Sequence, residues 1–370
     1  MMTSGKTPTR AAASVAKALG FGCLVWASAC NGFDWSHARG FNVTPAVDAG
    51  DIRFLKSVGV SVIRVSFADD PLIGTAPPYA NNEPAFARLD RIVEWANANR
   101  MAVVIDPHTA PGFANPYTTS PDDLFWRTAA FQDRLLALWV DLSRRYADKT
   151  TQVIGFDLLN EPVTPNLATS RVQFDWNAYV ARLVATIRQY DTHHAIVIEP
   201  ARQPDPRGRY DTMFEALNAL GLPRDANLVV SPHMYLPVAF THQGVLPQYS
   251  ARTHYPGEVD GTFWNRDRLN ATLAAARDYG VAHGVPILIG EFSASVQSGD
   301  DGIRYLSDVI DVMNGLSLGW AYHAYKENAA WDPGLDVAAS SAKIGASASA
   351  SASTGTGSSR GAVLLRGLSR

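Results

Sequence analysis

Cysteine is nearly absent from this chain. Its 370 residues hold two, Cys23 and Cys30, both close to the N-terminus, and neither belongs to a C-x-x-C pair or a zinc spacing. The main domain is therefore expected to fold without disulfides and without a thiolate metal site. An excess of one charge is missing too. Lys and Arg number 32 against 35 Asp and Glu, a formal net charge of −3, so nothing electrostatic draws the chain to nucleic acid or to an anionic membrane surface. Two sequence signatures are lacking. No G-x-G-x-x-G follows the first strand candidate, which weakens a doubly wound dinucleotide fold. No H-E-x-x-H points to zinc hydrolysis.

What is present suits one large globular core, with 46% hydrophobic and 18% charged residues. The 9 Trp and 13 Tyr fit a sugar-stacking cleft as well as ordinary core filling. The N-terminus reads as an export signal: Lys6, Arg10 and Lys17 precede the short apolar run "ALGFGCLVWASA", and Ala27-Ser28-Ala29 is an A-x-A cleavage site. That run is shorter than the roughly 20 residues that span a bilayer. Residues 1–29 are thus expected to be cleaved, giving a secreted or periplasmic protein. Cys30, directly after the site, gives a variant reading as a lipoprotein anchored through this residue. Residues 336–370 contain "ASASASASTGTGSSRG", a low-complexity tail that cannot form a core.

Between these ends, 30–335, aliphatic runs alternate with amphipathic stretches. Strands are expected at 39–43, 60–67, 101–108, 152–160, 195–200, 227–235, 285–292 and 316–325. Helices are expected near 47–58, 85–100, 122–147, 173–190, 210–220, 265–284 and 302–314. Alternating βα units imply a parallel sheet, and strands apolar on consecutive positions imply one covered on both faces. Eight units fit a single-domain α/β fold, a (β/α)8 TIM barrel. An eighth helix is not evident between 328 and 360, and the tail is expected to contribute little to the core.

In such a barrel the chemistry sits at the C-terminal strand ends. Those ends carry Arg64, His108, Asn160-Glu161, His233 with Tyr235, Glu291, and Trp320 with His323. Glu161 closes the apolar run within "GFDLLNEPV", and Glu291 closes the one within "ILIGEFS". A carboxylate at the end of an apolar strand is costly unless it is paired or used. Two facing carboxylates, one protonated and one ionised, are what glycoside hydrolysis needs. Each residue also has a plainer reading: Arg64 could bridge to Asp106, His108 could cap a loop, Trp320 could be core. Glu199 in "VIEP" serves as an example of a strand-end glutamate with no assigned chemistry. The convergence of six strand ends favours a site.

The segments "VIRVSF", "GFDLLNEPV", "SPHMY" and "ILIGEFS" together resemble glycoside hydrolase family 5, the cellulase family of clan A, over roughly 38–332. The resemblance implies a retaining enzyme with Glu161 as acid/base and Glu291 as nucleophile. It implies that Asn160 contacts the sugar 2-hydroxyl and that Arg64, His108, His233 and Tyr235 form the surrounding shell. No metal and no cofactor are implied. The chain departs from the family at the eighth strand, where "GWAYHAYKE" puts His323 in the place of the usual tryptophan and Trp320 three residues earlier; both are candidate substrate contacts. The loop "FTHQG", 240–244, has no assigned role. The implied substrate is a β-linked polysaccharide or oligosaccharide, β-1,4-glucan foremost, with mannan, xyloglucan, β-1,3-glucan and glycolipids open. A non-catalytic carbohydrate-binding barrel is the reading from another class. A monomer is expected. The carboxyl groups should lie about 5–5.5 Å apart, with Glu161 held protonated by burial and nearby negative charge.

Overall fold

The computed structural model describes residue 1 and residues 32–74, 76–113, 124–149, 152–165, 175–205, 207–335 and 359–369. The expected leader, its cleavage site, Cys23 and Cys30 lie outside these residues, as does the low-complexity stretch up to 358. Among the described residues, no helix is long and apolar enough to cross a membrane.

The strands in chain order are β1 (Arg39–Val43), β2 (Val62–Ser66), β3 (Ala102–Asp106), β4 (Val153–Asp157), β5 (Ala195–Ile198), β6 (Leu228–Val230), a hairpin of β7 (Gly257–Val259) and β8 (Thr262–Trp264), then β9 (Leu288–Phe292) and β10 (Gly319–Tyr325). All but the hairpin pair in parallel in the order β6-β5-β4-β3-β2-β1-β10-β9. Single bridges Val230–Ile287 and Met234–Phe292 join β6 and the chain beyond it to the β9 side. The bonds are Val230 N–H to Pro286 C=O, 3.0 Å, and Met234 N–H to Glu291 C=O, 2.8 Å. The sheet thereby comes round into the expected TIM barrel.

The helices are α1 (Ala49–Ser57), α2 (Glu83–Ala98), α3 (Ala129–Tyr146), α4 (Trp176–Ile187), the short α5 (Met213–Ala216) and α6 (Val238–Thr241), α7 (Arg266–His283), α8 (Gly299–Gly315) and α9 (Arg360–Leu368). Local chemistry sets several starts. Asp48 and Asp51 form a reciprocal capping box on α1. Asn82 caps α2 with a proline in its first turn, and Asn265 caps α7. Gly284 ends α7 in the left-handed region at φ 68°.

Period-two alternation gives each barrel strand two kinds of face. Ile63, Val65, Val103, Ile105, Phe156, Ile196, Ile198 and Ile289 join the layer under the helices. Val62, Val104, Val197, Val229 and Leu288 point inward and close the floor of the barrel around Trp35. One step further along several of these inward rows the residues turn polar: Arg64, Asp106, Asp157, Glu199 and Ser231, all buried. An apolar floor beneath a polar layer is what positions the site.

The expectation for the tail is corrected at its end. Residues 360–368 form α9, which packs on α8. Val363, Leu364 and Leu368 are buried. The Arg360 guanidinium donates to the Ala294 and Ser295 carbonyls and to Tyr322 Oη, the last at 3.0 Å. Gly367 lets the helix approach closely, since a Cβ there would lie 2.6 Å from Ile310 Cγ2. The segment thus supplies the helix that the last strand lacked. Ending the chain near residue 340 should therefore destabilise the barrel. Exposing three buried aliphatic side chains costs on the order of 5 kcal/mol, or roughly a 10 °C fall in melting temperature. A calorimetric shift of only a degree or two would show that α9 is dispensable.

Candidate active site

The polar layer is built around Arg64 of β2, which is 1% exposed. Its Nη1 lies 2.7 Å from Glu291 Oε1 and 3.0 Å from Asp106 Oδ2. Its Nε lies 2.8 Å from Asp157 Oδ2, and its Nη2 lies 2.9 Å from Glu199 Oε1. Asn42 Oδ1 and Asn160 Oδ1 accept further bonds at 2.9 and 3.0 Å. Both readings of this arginine hold at once: it bridges to Asp106 and it grips the glutamate of the seventh barrel strand.

Glu291 also accepts a 2.8 Å hydrogen bond from the Tyr235 hydroxyl on Oε2. Glu161 Oε1 lies 3.0 Å from His233 Nδ1. A carboxylate oxygen of each glutamate and a ring nitrogen of His233 all fall within 4.8 Å of one another. Gly290 makes room for this: a Cβ there would lie 2.3 Å from Ser231 Oγ and 3.0 Å from His233 Nε2. Glu161 itself has φ 41°, a left-handed backbone that a non-glycine residue adopts at a cost. Glu199 Oε2 accepts its N–H at 2.7 Å and so fixes that backbone from below.

An open cavity of about 330 Å³ lies over these groups, lined by His108, Asn160, Glu161, Tyr235, Glu291 and His323 among others. Arg64 and His233 sit beneath it, in contact with the carboxylates. Eight of the nine residues singled out from the sequence thus come together. Trp320 does not. It is fully buried, its Nε1 donates to Asn314 Oδ1 at 3.0 Å, and its ring packs on Phe292. The reason is strand parity: residues 320 and 323 differ by an odd number, so they face opposite sides of β10. The aromatic wall is instead Trp331, from the turn Ala329–Trp331 after β10. Its ring meets those of His242 at 5.0 Å, His323 at 5.8 Å and Tyr235 at 6.3 Å. His242 belongs to the FTHQG loop, which therefore lines the cavity. Glu327 and Trp331 line it as well.

Electrostatics separate the groups. Burial works to raise Glu291, but the charges of His233, His323, Arg64 and His108 hold its carboxyl far below the usual range. Burial also works to raise Glu161, yet the His233 hydrogen bond and charge outweigh it and lower it. This corrects the expectation of a carboxyl raised at rest. Burial works against the charged form of His233 too, but Glu199, Glu291 and the bond to Glu161 raise it well above its ordinary value. In the Glu161–His233 pair these directions favour the proton on His233. His108 is raised to about 8, burial being overcome by the Asp106 charge and its 2.7 Å contact. Burial, helped by the nearby His323 charge, takes His242 down to about 4 against the pull of Glu161 and Glu291.

Arg64→Met should test the network. Removing one partner of a buried ion pair costs about 3–5 kcal/mol, because the charges left behind lose their compensation. The denaturant midpoint is expected to drop accordingly. An unchanged midpoint would mean that the four carboxylates do not depend on Arg64.

Comparison with known proteins fits this geometry. The family model of cellulase (glycosyl hydrolase family 5) matches residues 26–329. The chain belongs to glycosyl hydrolase family 5. It is a glycoside hydrolase, and the relatives named below are distant from it in sequence. A β-xylosidase of Phanerodontia chrysosporium is 25% identical over 291 residues, covering 75% of this chain and 56% of that protein. The chain thus spans little more than half the length of that relative. Endoglucanase C of Acetivibrio thermocellus is 24% identical over 304 residues, covering 75% and 83%. Among solved structures, endoglucanase Cel5A from Thermotoga maritima superposes with a TM-score of 0.62 at 25% identity, covering 80% of this chain and 92% of that one.

Sequence reasoning missed Asn42, Asp157, Trp331, Glu327 and a role for Glu199. Asp157 and Glu199 carry a readable signal, since Asp157 closes the apolar strand β4 and Glu199 directly follows β5, each on an inward row. Trp331 and Glu327 lie beyond β10, where no periodicity marks a face.

Proposed function

We propose that this family 5 chain hydrolyses β-glycosidic bonds with retention, by double displacement, with Glu291 as nucleophile and Glu161 as acid/base. The observation that carries the reading is the approach of the two carboxylates, with oxygens within 4.8 Å. Retaining pairs stand about 5–5.5 Å apart, whereas inverting pairs need about 6.5–9.5 Å to admit a water. Their surroundings support the division of roles. The charges of His233, His323, Arg64 and His108 keep Glu291 ionised, and the hydrogen bonds from Arg64 and Tyr235 aim it. His233 gives Glu161 a partner with which one proton is shared.

In the first step a Glu291 oxygen attacks the anomeric carbon as the bond to the leaving oxygen breaks. That oxygen takes the proton held by the Glu161–His233 pair. In the second step Glu161 accepts a proton from water, whose oxygen attacks the same carbon and releases Glu291. Asn160, held by Arg64, faces the cavity where the sugar 2-hydroxyl would lie.

For the substrate we favour a β-1,4-glucan or its oligosaccharides, cut in the manner of an endoglucanase. The family description and the endoglucanase relatives support this. Release of reducing ends should be measured over a panel of β-glucan, xylan, xyloglucan and mannan, with aryl β-glycosides alongside. Activity on none of them would end the reading and favour a binding barrel. We further propose that the protein acts as a secreted or periplasmic monomer after cleavage at Ala29, with a lipid on Cys30 as the anchored form. N-terminal sequencing and mass measurement of the native protein test both.

A further inference from the structure

His323 projects from β10 into the cavity, with a side chain that is 12% exposed. Its two nitrogens are treated differently. Nε2 lies 3.2 Å from Glu327 Oε1. Nδ1 lies 3.5 Å from Glu291 Oε2, but that oxygen already takes the Tyr235 hydroxyl at 2.8 Å. Among the described residues, Nδ1 has no hydrogen-bond partner. A buried ring nitrogen left unpaired is costly, so such an atom at the edge of a binding cavity points to a ligand that completes it. The rest of the ring is held. Trp331 stands edge-on at 5.8 Å and Tyr235 at 6.2 Å, and Glu327 fixes the far nitrogen, so Nδ1 cannot easily turn to another partner.

The ring's position identifies what it would meet. A sugar under attack must bring its anomeric carbon to about 3–3.5 Å from a Glu291 oxygen. Nδ1 stands 3.5 Å to the side of Glu291 Oε2. It therefore faces substituents close to the anomeric carbon, and on a sugar ring those are hydroxyls. Resting on the glycosidase reading above, we propose that His323 Nδ1 donates a hydrogen bond to one hydroxyl of the sugar ring being attacked, and that Glu327 is the positioning residue that presents it. The chain then selects its sugar partly by a polar contact made from β10 and backed by an acidic side chain on the following loop. Burial works against the charged ring, but Glu291 and Glu327 outweigh it and raise His323, which favours the donor form of Nδ1.

The test compares kcat/KM for an aryl β-glycoside that the enzyme cleaves with its 2-, 3- and 6-deoxy counterparts. Beyond the loss of the Asn160 contact that a 2-deoxy sugar suffers with every variant, wild type is expected to reject one of the three by roughly 10- to 100-fold, the worth of a hydrogen bond to a charged group. His323→Phe keeps a ring against Trp331 and Tyr235. It should bring that one ratio close to unity while leaving the other two unchanged. Glu327→Ala should weaken the same ratio, and Glu327→Gln, which retains an acceptor oxygen, should restore most of it. Should His323→Phe fail to fold, the Glu327 pair carries the comparison, since that side chain is 25% exposed. A loss shared equally by all four substrates, or a wild type indifferent to every deoxy substitution, would overturn the proposal and leave the glycosidase reading standing. A wild type inactive on all glycosides would sink both.

Discussion

Glu291→Ala should lose turnover by on the order of 10^5-fold, with its fold intact, and regain it with azide. The expected loss is that of a nucleophile removed from a unit whose other members remain. Without Glu291 the anomeric carbon is still held, and Glu161 can still protonate the leaving oxygen, but nothing attacks from the opposite face. The deleted carboxylate leaves a space next to Arg64 that a small anion can enter. Azide bound there attacks the anomeric carbon as the leaving group departs with the Glu161–His233 proton. The product is a glycosyl azide of inverted configuration. The four carboxylates around Arg64 become three, so its charge is still compensated and the melting temperature should change little. Product analysis by mass spectrometry and NMR decides the matter. Rescue giving a β-configured azide, or a variant with near-wild-type activity, would remove Glu291 from the nucleophile's role.

Glu161→Ala should behave differently, and the difference lies in the leaving group. General acid catalysis contributes about 10²–10⁴-fold, and that contribution matters only where the departing oxygen needs a proton. Substrates with sugar or alkyl leaving groups should therefore slow by about that factor. Activated aryl glycosides should keep most of their first-step rate and accumulate glycosyl-enzyme, because water in the second step then lacks its base. The pH profile supplies a second readout. Since Glu161 is lowered and His233 raised, the alkaline limb of wild type reports loss of the proton shared by the pair, not the titration of either residue alone. That limb should vanish for activated substrates in the variant. Equal slowing of all substrates, with the limb unmoved, would mean that Glu161 is not the acid.

The barrel was largely legible because its evidence is repetitive. Each strand is a short aliphatic run, each helix an amphipathic stretch, and the alternation repeats through β10. The first strand, 39–43, is found at the same bounds in the structure. Glu161 and Glu291 stood out because each breaks an apolar run at the end where a barrel gathers its chemistry. Three things escaped for physical reasons. The helix α9 follows a low-complexity stretch of sequence, and nine residues with two glycines carry little pattern. Trp320 attracted a role by being aromatic, but strand parity turns it away from the cavity and puts His323 there. The state of Glu161 depends on a contact with His233 that is 72 residues away in sequence. No local pattern shows that burial is overcome by an imidazolium. Glu199 is the instructive case: its strand position is plain in the sequence, but its hold on the Glu161 backbone exists only once β4 and β5 lie side by side.

The most direct measurement is the configuration of the first-formed product, followed by proton NMR during hydrolysis of the best β-linked substrate. Two displacements at one carbon, through Glu291 and then water, predict that the β-anomer appears first and the α-anomer grows in only as the sugar mutarotates. Immediate appearance of the α-anomer would show a single displacement by water, and the close pairing of Glu161 with Glu291 could not then be read as a nucleophile and its acid partner.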